Sequence, residues 1–179
     1  VLIIGLASTF GVSNYFKQEE EIKLQKEFAL ICNEVKSKIF TRINIQNQFL
    51  ISSSSFFEAS NSVTRNEWKR FNKFSGGNVK FMGVQGFGFS PIIKKEELKK
   101  HILAIRKEGF PKYTVLPEGV REVYTSIIYL EPFDARNAPA FGFDMFSDSV
   151  RRKAMEQARD QNMPVLSGKV TLRLETKKN

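Results

Sequence analysis

The stretch FALICNEVKSKIFTRINIQNQFL, residues 28–50, decides the fold. It sets Phe28, Ile31, Val35, Ile39, Ile43 and Leu50 at three- and four-residue steps, with one gap at Gln46. That period lines one face of an α-helix. No Pro or Gly interrupts the chain between Lys17 and Phe74, so a helical stalk is expected over residues 17–60. The run Ser52-Ser53-Ser54-Ser55 marks a break or bend in it. A helix of that length cannot bury its stripe against itself. It needs the rest of its domain or a second copy, although Asn44, Asn47 and Gln48 argue against a strict coiled coil. A homodimer through the stalk helix is the partner this reading implies.

Working towards the start, residues 1–16 (VLIIGLASTFGVSNYF) carry no charge. They fall just short of the roughly 20 apolar residues that cross a bilayer, and Tyr15 and Phe16 sit where interfacial aromatics sit. The expectation is the outer end of a transmembrane helix, which anchors the chain in an inner or plasma membrane. The alternative is a buried N-terminal helix.

Working towards the end, residues 61–74 continue the helical pattern, with Val63, Trp68, Phe71 and Phe74 as core candidates. A turn at Gly76-Gly77-Asn78 leads into an expected strand from Val79 to Ser90. The glycines at 83, 86 and 88 mark close backbone or ligand approach but form no nucleotide fingerprint. Ser90-Pro91 reads as a helix start with Ser as N-cap. Leu98, Ile102 and Ile105 form that helix's buried stripe, and Gly109 ends it. His101 is expected on its exposed side. Arg121 to Leu130 reads as a second strand. Ser147 reads as the cap of a helix reaching Gln161, and Val165 to Glu175 as a third, alternating strand. The fold class is α+β: a long N-terminal helical stalk followed by an antiparallel sheet module.

Composition narrows the function. Lys and Arg number 28 against 19 Asp and Glu, for a net charge of +9. The positive residues are spread along the chain and no aromatic-basic signature accompanies them, so a nucleic-acid partner is not expected. Cys32 and His101 are each the single residue of their type. That excludes a disulfide framework and the usual zinc and non-haem iron sites. No catalytic residue, metal site or cofactor is expected.

Several motifs, in order, resemble the CHASE domain. They are Ser60-x-x-Val63-Thr64-x-x-x-Trp68, the Gly83-to-Phe89 strand, Gly109-Phe110-Pro111, Arg121-x-x-Tyr124 and Tyr129-Leu130-Glu131-Pro132. Asn137, Gly142-Phe143-Asp144, Ser147, Arg151-Arg152-x-Ala154, Ala158 and Ser167-Gly168-x-Val170-x-Leu172 follow. The resemblance spans most of residues 17–176. It implies the extracytoplasmic sensor region of a membrane receptor, such as the plant cytokinin-receptor histidine kinases and bacterial histidine kinases and cyclic-di-GMP enzymes. The implied architecture is a helical stalk (17–60) and a PAS-like ligand-sensing module (61–179) whose last strands lie beyond residue 179. The sensor faces the periplasm or cell exterior.

The resemblance also implies a site. The family's ligand-holding Asp, Leu and Thr fall on Asp144, Leu166 and Thr176, with Ser167 adjacent. A carboxylate accepts from N–H donors, and a strand's backbone and a hydroxyl read the same ligand edge. Tyr129, Phe87, Phe89 and Phe141 are the expected walls. The alternative for Asp144 is a structural role near the next helix's N-terminus, and for Phe87 and Phe89 a place in the core. Replacing Asp144 with Ala is expected to weaken ligand binding without unfolding the domain. Trp68 stands where the family more often has Phe, so a cytokinin is not specifically implied. The expected function is small-molecule sensing without catalysis, passed to a histidine kinase or cyclic-di-GMP output domain. The alternative is a membrane-anchored enzyme using Asp144 and Glu122 as a carboxylate pair.

Overall fold

The computed structural model describes residues 2–74 and 83–172. The chain divides into two compact units, one ending at Ile45 and one beginning at Gln46. The first unit is helix alone. It belongs to α1 (Leu2–Glu58), and its apolar stripe is exposed: Phe28 at 70%, Ile31 at 60% and Val35 at 51%. The expected bend at the serine run does not occur. Ser53 Oγ donates to the Phe49 carbonyl at 2.8 Å, one turn back. Serine can satisfy itself inside a helix in this way without ending it.

The second unit is α+β. The last turns of α1 carry Phe49, Phe56 and Phe57 into its core, beside α2 (Arg65–Phe74). Phe57 stacks on Phe89 with centroids 3.8 Å apart, Phe49 meets Phe87 at 4.2 Å, and Phe56 stacks on Phe71 at 4.6 Å. Trp68 is 3% exposed among them. A reciprocal cap starts α2: Thr64 N–H donates to Glu67 Oε2 at 2.8 Å, and Glu67 N–H donates to Thr64 Oγ1 at 3.3 Å. This satisfies two donors that a helix start leaves orphaned. It also holds the Glu67 carboxyl below the usual range, chiefly through the Thr64 backbone N–H.

Two short antiparallel pairs follow. β1 (Phe87–Phe89) pairs with β4 (Tyr129–Glu131), Gly88 opposite Leu130. β2 (Ile92–Lys94) pairs with β3 (Val123–Thr125), Ile93 opposite Tyr124. The helix expected at Ser90-Pro91 is therefore a strand at first. Ile93 and Tyr124 are each 3% exposed, and burying that pair keeps the backbone extended. The helix is delayed to a 3-10 turn at Lys95–Glu97 and α3 (Leu98–Lys107). Gly109 ends α3 with φ +103°, as expected.

The strand expected over Arg121–Leu130 is two strands with different partners. Between them Ile127 N–H donates to the Phe143 carbonyl at 3.1 Å and Ser126 bridges Asp144, so residues 126 and 127 leave both ladders, and Ile128 N–H rejoins β1 at the Phe89 carbonyl at 3.0 Å. Of the strand expected over 79–90, Phe87–Phe89 is observed and residues 79–82 lie outside the described ones. Residues 165–172 of the expected third strand form no ladder, and 173–175 lie outside the described residues. A period-2 pattern gives a strand only where an edge accepts it.

Arg65 ties the unit across its middle. Its Nε donates to Glu108 at 2.9 Å, its Nη1 donates to the Ile128 carbonyl, and its guanidinium lies 4.3 Å from the Phe110 ring centroid.

Candidate functional site

Asp144 is where the local fold is decided. Three segments meet there. Leu116 N–H donates to the Gly142 carbonyl and Gly142 N–H to the Ile127 carbonyl, both at 2.9 Å, and Asp144 N–H returns to the Leu116 carbonyl at 2.6 Å. The Asp144 carboxylate is fully buried. Oδ1 accepts from Thr125 N at 2.8 Å, Thr125 Oγ1 at 3.2 Å and Phe146 N at 3.0 Å. Oδ2 accepts from Arg121 Nε at 2.9 Å. Arg121 also donates to the Pro117 carbonyl and lies 4.9 Å from the Tyr124 ring. A carboxylate with this many donors, one of them charged, is saturated from within its own chain.

The Phe146 N–H bond makes Asp144 the N-cap of a 3-10 turn, Met145–Ser147. The following helix, α4 (Ser149–Gln161), is capped by Asp148, which accepts from Val150 N at 3.0 Å and Arg151 N at 2.9 Å. The cap expected from Ser147 is thus supplied by Asp148. Ser147 Oγ instead donates to the Asp144 carbonyl at 2.6 Å. The Asp148 carboxyl is held below the usual range, first by the Arg151 backbone N–H.

A cavity of about 300 Å³ lies beside this region. Gly88 of β1 and Leu130 of β4 form one wall; Ala140, Phe143 and Met145 form another; Arg151 of α4 contributes its charge. Asn137 is 5% exposed, and its amide donates to the Gln85 and Pro132 carbonyls, each at 3.0 Å. The Arg151 side chain is 10% exposed, held by Asp148 Oδ2 at 2.9 Å and the Thr171 carbonyl at 3.0 Å. A second, more open cavity of about 350 Å³ is bordered by Phe110, Tyr113 and Phe141.

The residues expected from the sequence are not gathered at one place. Asp144 lines neither cavity. Phe87 and Phe89 pack on α1, and Tyr129 donates its hydroxyl to the Val63 carbonyl at 2.6 Å. Phe141 borders the second cavity. Leu166 is 95% exposed, Ser167 Oγ bonds to the Gly168 carbonyl at 3.0 Å, and Thr176 lies outside the described residues. Asp144 and Glu122 do not pair as carboxylates: Asp144 binds Arg121, and Glu122, 81% exposed, binds Lys95. Among the described residues there is no group of three or more His, Cys, Asp or Glu able to hold a metal ion. No described helix is long and apolar enough to cross a membrane.

His101 is half-buried, where an exposed position was expected. Its Nε2 lies 2.8 Å from Tyr113 Oη, which is 2.7 Å from the buried Ser126 Oγ. Burial pushes the His101 pKa down and the Tyr113 pKa up. The sequence reading also passed over Arg151 and Asn137 as cavity residues. Their only signal was their place in quoted motifs; nothing local told that they face one space.

Residues 61–179 match the family model for the CHASE domain, a span that takes in α2 to α4, both strand pairs, Asp144 and both cavities. No curated protein matches the chain. With two-thirds of its length covered by that one match, the chain belongs to the CHASE domain family, whose members serve as extracellular sensor domains of signalling receptors.

Proposed function

We propose that this chain is the small-molecule-sensing part of a transmembrane receptor, and that its ligand occupies the 300 Å³ cavity against β1, β4 and α4. The observation that supports the reading most is that cavity itself. It is apolar over most of its wall, carries a few polar groups, and has the size of a small ligand site, roughly 300–1,000 Å³. The sheet module is PAS-like in this reading. The sensor faces the periplasm or cell exterior, and the uncharged start of α1 lies in the inner or plasma membrane. The output domain is a histidine kinase or a cyclic-di-GMP enzyme. The ligand biases the receptor only by its differential affinity for two arrangements of the module.

The test is to fill the space. Ala140→Phe puts a ring into the cavity from the turn that borders it. Native mass spectrometry of the purified chain is expected to show a co-purifying small molecule at one per chain, absent from the variant. Equal occupancy in both proteins rejects the cavity as the site.

The same proposal makes the stalk a dimer contact. Phe28, Ile31, Val35 and Ile39 are all more than half exposed, and burying each contributes about 1.5–3 kcal/mol. Sedimentation of the double variant Ile31→Lys, Val35→Lys is expected to show monomer where the parent shows dimer. An unchanged sedimentation coefficient rejects this contact.

A further inference from the structure

We infer that the cavity selects a monocarboxylic acid with an apolar body, recognised by Arg151. The inference rests on the sensor reading above and names the chemical class of its ligand. Charge is the first reason. Among the described residues lining the cavity Arg151 is the one that is charged; the polar remainder is Gln85, Ser90 and Asn137. An amine or a protonated heterocycle needs a carboxylate acceptor there; the fully buried Asp144 is sealed by Arg121, Thr125 and Phe146, and Asp148 is held by Arg151 and the backbone N–H groups of Val150 and Arg151.

Donor geometry is the second reason. A guanidinium presents five N–H donors in a planar fork. Among the described residues Arg151's side-chain partners are two: Asp148 Oδ2 and the Thr171 carbonyl. These contacts, with the Phe143 ring 5.4 Å away, fix the guanidinium. Its remaining donors are available to an incoming acceptor. Because the side chain is only 10% exposed, a charge-assisted bond made there is poorly screened and stronger than one at the surface.

Wall chemistry is the third reason. Ile127, Leu130, Phe143, Met145 and Leu172 surround the rest of the space. One guanidinium among apolar walls, with donors left beyond its Asp148 pair, suits one carboxylate on a hydrocarbon or aromatic body. A dianion leaves its second charge unpaired against them, which costs free energy.

Isothermal titration of the full chain tests this with matched probes: phenylacetate and butyrate as acids, phenylacetamide as the neutral analogue, phenethylamine as the cation. An acid is expected to bind, with the amide and amine at least tenfold weaker. Arg151→Gln is expected to weaken the acid about 10- to 100-fold, while Ala140→Phe abolishes it. If Arg151→Gln fails to fold by circular dichroism, the acid–amide–amine ranking on the parent chain decides alone. Binding of the amide or amine as tightly as the acids, lost in Ala140→Phe, keeps the sensor cavity and overturns the acid class. Acid binding that survives Ala140→Phe overturns the cavity as its site. No binding by either acid also overturns the inference, and the co-purification experiment then judges the sensor reading separately.

Discussion

Asp144→Ala is expected to lower the unfolding free energy of the second unit by about 3–5 kcal/mol, the cost of stripping one partner from a buried ion pair. The substitution leaves three kinds of donor stranded together. Thr125 N loses its acceptor inside the protein, Thr125 Oγ1 loses one of its partners, and the Arg121 guanidinium keeps its charge without its counter-ion, while Phe146 N retains Thr125 Oγ1 at 3.0 Å. Each unsatisfied buried donor costs about 1–3 kcal/mol. Against a typical total of about 5–15 kcal/mol, that loss is a large share of the whole. The structure thus revises the expectation that this change spares the fold. Urea denaturation followed by circular dichroism measures it. Asp144→Asn keeps one acceptor oxygen and is expected to fall between the two. A midpoint for Asp144→Ala within experimental error of the parent shows that the enclosed carboxylate carries no structural weight.

Gly142→Ala is expected to cost about 2–4 kcal/mol, from backbone strain and overpacking together. Gly142 has φ +84°, which L-residues adopt only at a cost, and a Cβ there overlaps the Thr114 carbonyl oxygen. Relief by backbone movement is blocked on both sides. Gly142 N–H is bonded to Ile127 and its carbonyl to Leu116. Gly109 is the internal comparison. It also has positive φ, +103°, but a Cβ added there meets nothing within 4 Å. Gly109→Ala is expected to cost about 1 kcal/mol, the conformational part alone. Equal thermal midpoints for the two variants remove the steric argument.

The helices were legible because their signal is long. The stripe from Phe28 onward repeats over many turns, whereas the start of α2 at Arg65, set by Thr64 and Glu67, breaks the helical pattern expected over residues 61–74. The strands were legible only in part: β1, β3 and most of β4 fall inside expected strands, but each observed strand spans three residues, below the four or more over which alternation registers, so bounds and partners were not. Ser90-Pro91 misled because a proline that suits a first helical turn also suits the entry to a short extended segment. The site divides in the same way. Asp144 stood out by motif, but whether its carboxylate faces a ligand or its own chain depends on Arg121 and Thr125, which approach from another segment. Arg151 and Asn137 come to border one cavity only when β1, β4 and α4 enclose it. Pairings across the fold of this kind leave no local trace in spacing.

The Arg65 tie sets an order of events during synthesis. Arg65 leaves the ribosome well before Ile128, 63 residues later, supplies the carbonyl that receives it. At translation rates of about 5–20 residues per second, the wait is roughly 3–13 s. Through that interval Glu108 and Phe110 arrive first and offer only partial partners, and Tyr129, which also meets Phe57 and Trp68, is still unmade. Phe56 and Phe57 cover part of the α2 aromatic face from the start, but the part that Tyr129 covers stays open until the β1–β4 pair is complete, so this core is closed late.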